Sequence, residues 1–193
     1  MSSSEGGSPT ERRHAVALTE DARGALSFQE YAPAPAIDGV WVRPIRKYRA
    51  ENGWFAECVR LTGGSVESLP AGEMELRQLS VSFAAAGRIN AFHIHPKAAQ
   101  NELWTVLQGQ LTVWLADCRA GSPSVGVRQK VVLSGEEPAQ LYIPAGVAHG
   151  YRAGREGALL LYAMDQQFDA ADPNEGRLPW DFFGEELWEE DRG

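Results

Sequence analysis

Short runs in which apolar and polar residues alternate follow one another from residue 40 to residue 164: VWVRPIR, WFAECVRL, MELRQLSVSF, RINAFHIH, ELWTVLQ, QLTVWLA, VRQKVVL, AQLYI, VAHGY and ALLLYAM. A period of two sends successive side chains to opposite faces of a strand. Ten such runs, mostly separated by Gly, Pro, Asn or Asp and with hardly a helical pattern between them, predict an all-β chain. Its antiparallel sheets are expected to fold into a sandwich or closed barrel, which also protects strand edges. Residues 1–13 are rich in Ser, Gly and charge and are predicted to be a disordered tail. The rest, 14–193, reads as a single domain with its core over about 38–168. The last stretch, about 169–193, mixes aromatics, acids and turn residues and is predicted to be an irregular flap or short helix covering one mouth of the barrel.

Composition narrows the functional classes. A chain of 193 residues with 44% hydrophobic content can build one ordinary core. A net charge of −8 without a cluster of Lys and Arg offers no attraction to nucleic acid or to an anionic membrane surface. The opening residues hold no apolar run of the signal-peptide kind, and no later stretch approaches a membrane span, so a cytoplasmic location is expected. Cys58 and Cys118 have no CxxC partner and read as reduced, half-buried residues.

The chemistry begins at RINAFHIH. Alternation puts His93 and His95 on one face of a strand and Phe92 and Ile94 on the other. A lone strand histidine is commonly just a satisfied core group, but two on one face mark a candidate site. Around them run Gly87-x5-His93-x-His95-x6-Glu102-x6-Gly109 and, later, Pro144-x-Gly146-x2-His149. These segments resemble the two motifs of the cupin superfamily, which implies a double-stranded β-helix, or jelly-roll barrel. By that resemblance His93, His95, Glu102 and His149 would bind a divalent metal. Three imidazoles and a carboxylate suit Fe, Mn, Ni or Zn equally.

A closer resemblance, from about residue 38 to 188, is to the dTDP-4-dehydrorhamnose 3,5-epimerase family. NGWFAE at 52–57 is similar to the family's RGxFxE, DCRAGSPSVG to its DxRxxSPTxG and QLYIPAGVAHGY to its QLyIPxGfAHGF. Tyr162 follows His149 at the family's distance, and Glu175 precedes Trp180 and Asp181 as in its ExxxxWxD. The resemblance implies inversion of carbons beside a ketone by proton removal and return, without a cofactor. His93 would be the base, its intrinsic pKa near ~6.5 suiting it to neutral pH. Tyr162 would be the acid on the opposite face, and His149 would contact the sugar and its carbonyl oxygen. Phe55, Glu57, Gln78 and Glu175 would hold the nucleotide or sugar.

The chain departs from the family pattern where charge matters. Asn52 and Asn90 stand where its motifs carry Arg, Glu102 where they carry Lys, and Ser80 where they carry Asn. A bare carboxylate at 102 would oppose an enolate by about 4 kcal/mol at 4 Å and an effective dielectric of 20. Either protonation of Glu102 or a metal ion is therefore expected to neutralise it. The acid that pairs with the family's catalytic histidine has no counterpart after Trp188; Asp191 or another acid could substitute, and the sequence does not identify the acid that orients His93. The preferred reading is an epimerase or isomerase of a nucleotide-linked or related 4-keto sugar. The alternatives are a metal-dependent cupin (dioxygenase, isomerase or lyase) and a barrel that only binds sugar. The VWVRPIR run is expected to add to a neighbour's sheet edge in a homodimer.

Overall fold

The computed structural model describes residues 15–29, 31–67, 69 and 74–190, so the predicted tail at 1–13 lies outside the described residues. The chain divides into two compact units, 1–33 and 34–193. In the first, a six-residue helix, Glu20–Ala25, starts at Thr19, whose hydroxyl accepts from the Ala22 amide. This helix buries no side chain and has no counterpart in the strand pattern.

Among the described residues the second unit carries twelve strands: β1 Trp41–Pro44, β2 Lys47–Ala50, β3 Gly53–Ala56, β4 Leu61–Thr62, β5 Ser65–Val66, β6 Gln78–Ala84, β7 Ile89–Ile94, β8 Glu102–Asp117, β9 Arg128–Ser134, β10 Ala139–Ile143, β11 Val147–Met164 and β12 Gly176–Arg177. Two of the predicted runs, ELWTVLQ and QLTVWLA, fuse into β8, and two more, VAHGY and ALLLYAM, fuse into β11. These two long strands pair along most of their lengths and build the jelly roll. Their one half, with β1, β10 and β6, makes one wall; their other half, with β9, β7 and β12, makes the other.

The strands can serve both walls because they bend at glycines. Gly109 in β8 and Gly157 in β11 have φ of 72° and 76°, and their backbones approach so closely that a Cβ on Gly109 would collide with the Gly157 carbonyl. Between the walls lies the main core, from Val106, Leu111, Val113 and Leu115 of β8 to Leu141, Ile143 and Leu160. Period two explains the selection: within β8, Leu111, Val113 and Leu115 face in, and Trp114 and Ala116 face out.

Each outer face has its own cover. Leu103, Tyr142 and Ala163 pack under Val66, Leu69 and Met74. Phe92, Ala116 and Ala148 pack under Trp188, which belongs to a 3-10 turn at Glu185–Trp188. The C-terminal segment therefore does two things where one was expected. Residues 174–177 run along the interior cavity, while Phe183 and Trp188 cross to the outer face, their rings centred 4.7 and 5.3 Å from that of Phe92.

The DCRAGSPSVG motif folds into a clamp. Asp117 accepts hydrogen bonds from the Arg119 side chain and from the hydroxyls of Ser122 and Ser124, and these contacts hold its carboxyl well below the usual range. Ser124 Oγ in turn accepts from the Asp38 amide and Arg119 donates to the Asp38 carbonyl, so the motif fixes where the chain enters the barrel.

The glycine crossing gives a test. Gly109→Ala must displace the β11 backbone and is expected to destabilise the protein by more than about 3 kcal/mol. Urea unfolding should show it at least as damaging as Leu111→Ala, a core truncation of about 2–5 kcal/mol.

Candidate functional site

The main core is apolar toward one end of the barrel and gives way at the other to a cavity of about 370 Å³. Gln78, His93, His95, Glu102, Tyr162 and Glu175 all line it, drawn from β6, β7, β8, β11 and the C-terminal segment. Alternation delivers them. Glu102 and Trp104 start the inward row of β8, and His149, Tyr151, Leu160 and Tyr162 belong to that of β11, with Gln78, Ser80 and Ser82 as the inward row of β6.

His149 is brought close but not onto the surface. It is 2% exposed, stands behind the lining side chains, and has ring centres 5.8 Å from His93 and 5.5 Å from His95. Phe55 and Glu57 are not brought in at all. They lie on and just after the β2–β3 hairpin at a separate shallow recess with Tyr48 and Arg60, Glu57 being tied to Arg60 at 2.7 Å.

At the base of the cavity a carboxylate sits almost wholly out of water. Glu102 is 4% exposed; its Oε1 receives His95 Nε2 at 2.8 Å and the Gln100 amide at 2.9 Å, and its Oε2 receives Trp104 Nε1 at 2.6 Å. Burial by itself would raise its pKa. The charge of His149, the hydrogen bond and charge of His95 and the Trp104 bond together outweigh burial and hold it down, to about 2. Glu102 is therefore ionised. The expectation that it would be neutralised by its own proton is overturned: His95 supplies the opposite charge. Burial disfavours the imidazolium, but the hydrogen bond and charge of Glu102 raise the His95 pKa above its ordinary value. Its other nitrogen, Nδ1, meets the Asn174 carbonyl at 2.5 Å, so both N–H groups of the imidazolium are satisfied.

His149 orients its Nδ1 to the Val147 carbonyl at 3.0 Å and its Nε2 toward Glu102 Oε2 at 3.6 Å, and burial lowers its pKa. The ligand atoms of His95, Glu102 and His149 lie within 4.8 Å of one another. Two imidazoles with Nδ1 anchored on backbone carbonyls and Nε2 turned to a carboxylate have the outer support that metal-binding histidines use, and the donors suit a divalent ion. The expected fourth ligand is not with them. His93 Nε2 faces Arg177 Nη1 at 3.0 Å and Asn90 Oδ1 at 3.1 Å instead.

A guanidinium can only donate and an amide oxygen can only accept, so the two contacts of His93 Nε2 belong to opposite tautomers; with the proton on Nδ1, Arg177 Nη1 donates to Nε2 and also to Asn90 Oδ1 at 3.3 Å. Nδ1 faces Glu175 Oε1 at 3.8 Å, and Glu175 thus stands where an orienting acid was sought; Asp191 lies outside the described residues. Burial, then the charges of His149 and Arg177, push the His93 pKa down to about 3. His93 is therefore an unprotonated imidazole over the whole neutral range, by a wider margin than its intrinsic value implies. Tyr162 is half-buried, and burial raises its pKa, with the Ser80 hydroxyl pulling slightly the other way; it keeps its proton.

Arg177, Gln100 and Asn174 were not singled out by the sequence. Arg177 carries the one usable signal, because it follows Glu175 by two residues and so shares its face in an extended segment.

The chain matches the family model described as dTDP-4-dehydrorhamnose 3,5-epimerase over residues 34–181. The chain belongs to this family. Among its relatives is the spore coat polysaccharide biosynthesis protein SpsL of Bacillus subtilis, 36% identical over 146 residues that cover 75% of this chain and 91% of that protein. The dTDP-4-dehydrorhamnose 3,5-epimerase of Pseudomonas aeruginosa is 36% identical over 127 residues, covering 66% and 69%. Among solved structures, the Legionella pneumophila dTDP-6-deoxy-D-glucose-3,5-epimerase, in complex with dTDP-4-keto-L-rhamnose, superposes with a TM-score of 0.66 at 27% identity, covering 74% of this chain and 73% of that one. Membership makes this protein a carbohydrate epimerase by class and gives its jelly roll the family's architecture. Among the described residues, no helix of this epimerase-family chain is long and apolar enough to cross a membrane.

The buried ion pair predicts an acid sensitivity. A carboxyl whose pKa falls from 4.5 to about 2 on folding stabilises the fold above pH 4.5, and this stabilisation is lost as the pH falls toward 2. Urea unfolding between pH 4.5 and 2 should show wild type losing on the order of 3 kcal/mol more than Glu102→Gln over that window.

Proposed function

We propose that this protein epimerises a nucleotide-linked 4-keto sugar by proton transfer on carbons beside the ketone, with His93 as base and Tyr162 as acid. The observation that carries this reading is the meeting of an unprotonated imidazole, its Nε2 facing Arg177, and a protonated phenol on the wall of one cavity.

In the step, His93 Nε2 takes a proton from the carbon next to the carbonyl, and the C–H electron pair moves into the carbonyl to give an enolate. Tyr162 then gives its phenolic proton to that carbon from the other face, the carbonyl re-forms, and solvent exchange resets both residues. Glu175 beside Nδ1 balances the imidazolium that His93 becomes. The His95–Glu102 pair carries no net charge, so the carboxylate at 102 does not stand as an uncompensated opponent of the enolate. His149 orders this wall from behind instead of touching the sugar.

Two features support a homodimer. β6 pairs on one side with β11 and turns Leu79, Val81 and Phe83, 55–66% exposed, outward in a row that a second copy would cover. The β2–β3 hairpin brings Phe55 and Glu57 to a recess separate from its own chain's cavity, and supply of these residues to a neighbour's cavity would account for their motif. β1, expected to add to the neighbour's sheet, is itself an edge strand, paired with β10 in its own chain.

A second reading rests on the converging donors. His95, Glu102 and His149 would hold a divalent Fe, Mn, Ni or Zn ion, which when bound would polarise substrate oxygens. His93, turned to Arg177, stays outside that set.

In heavy water, wild type is expected to put deuterium into a dTDP-linked 4-keto-6-deoxyhexose. His93→Asn should cut the exchange by about 100-fold to 10,000-fold, and Tyr162→Phe should retain exchange while blocking inversion. Absence of deuterium across a panel of nucleotide-linked 4-keto sugars would overturn the proposal. Dialysis against EDTA should leave turnover unchanged; a loss restored by one of the four metals would favour the second reading. Mixing inactive His93→Asn with an inactive Glu57→Ala variant should regain activity in a dimer whose hairpins cross, and gain none if each cavity is complete within one chain.

A further inference from the structure

The family's arginine positions are filled here by Asn52 and Asn90, yet one guanidinium stands at the cavity. Arg177 is the sole Lys or Arg among the described residues that line it. It lies directly across the β7–β12 ladder from His93 and directs Nη1 to His93 Nε2 at 3.0 Å and to Asn90 Oδ1 at 3.3 Å, while Nη2 is tied to Glu175 Oε1 at 2.6 Å. Its side chain is 57% exposed, which puts the charge at the mouth of the cavity, away from the buried Glu102 cluster.

We propose that Arg177 is the specificity-determining cation of this enzyme: it recognises the diphosphate of the nucleotide-linked sugar, replacing an arginine that the chain lacks at position 90. This inference rests on the epimerase reading above for the identity of the ligand. Its physical grounds are three. The guanidinium reaches the Asn90 side chain, so its charge occupies the neighbourhood in which the family's motif would put an arginine. Glu175 holds one edge of the planar fork, which pre-orders Nη1 beside His93 and Asn90 on the cavity wall. And a sugar whose carbon beside the ketone meets His93 must carry its anionic substituent toward solvent, where Arg177 stands and where a phosphate oxygen can take a charge-assisted hydrogen bond.

The geometry has a second effect. Nη1 cannot serve a phosphate and cap the His93 lone pair with the same N–H. Turning to the diphosphate uncovers Nε2, so capture of the anionic end and exposure of the base happen together. A neutral keto sugar leaves Nη1 on the base.

The test is binding of dTDP, and of inorganic pyrophosphate, to the full-length chain by calorimetry, beside the deuterium exchange assay. Arg177→Gln is expected to raise the dTDP Kd and the substrate KM by about tenfold to a hundredfold, the span of a lost charged hydrogen bond, with kcat changing several-fold less than KM. Arg177→Lys, which keeps the charge on an exposed side chain, should recover part of the affinity and serves as the second variant if Arg177→Gln melts below the assay temperature. A Kd equal to wild type in both variants overturns the assignment, as does a wild type that binds neither probe. A fall in kcat with Kd unchanged also overturns it, by placing Arg177 at the reacting carbon. Arg177-dependent binding of dTDP without deuterium entering any 4-keto sugar would sink the epimerase reading and leave the cation's role standing; exchange with unchanged Kd would do the reverse.

Discussion

A carboxylate that is ionised while almost wholly excluded from water constrains everything around the cavity. Leaving Glu102 unpaired would cost several kcal/mol, so the fold surrounds it with donors from three sources: the His95 imidazolium, the Gln100 amide and the Trp104 indole. Each donor is held in turn. His95 is fixed by the Asn174 carbonyl, which places the C-terminal segment, and Trp104 packs edge-on against His149 at 5.2 Å and Tyr151 at 6.0 Å. The arrangement of this cavity wall follows from the need to keep one charge satisfied.

The same requirement explains how a family member can carry a glutamate where relatives' motifs have lysine. The local charge is not reversed but cancelled, because the histidine seven residues earlier becomes the cation. At the mouth, Arg177 is the one Lys or Arg among the described lining residues, and it reaches the side chain of Asn90.

That shift marks the limit of what the sequence revealed. Strand existence, the inward pairing of His93 with His95, and the joining of Gln78, Glu102, Tyr162 and Glu175 in one cavity were legible, because period two and the motif spacings encode them. Three features were not. The state of Glu102 depends on His95 Nε2 at 2.8 Å, a distance no spacing predicts. The separation of His93 from the other three ligand candidates comes from Arg177, a residue 84 positions away that meets it only through the β7–β12 pairing. The architectural role of DCRAGSPSVG was the third: its buried Asp117 anchors the entry of the chain.

The C-terminal segment joins two environments over a short span of backbone. Asn174, Glu175 and Arg177 meet the histidines, and a few residues later Phe183 and Trp188 are wedged against the far side of the same sheet. Aromatic anchorage outside is thus continuous with the strand that brings polar groups to the histidines inside, so loosening Phe183 and Trp188 would be felt at His95 through Asn174.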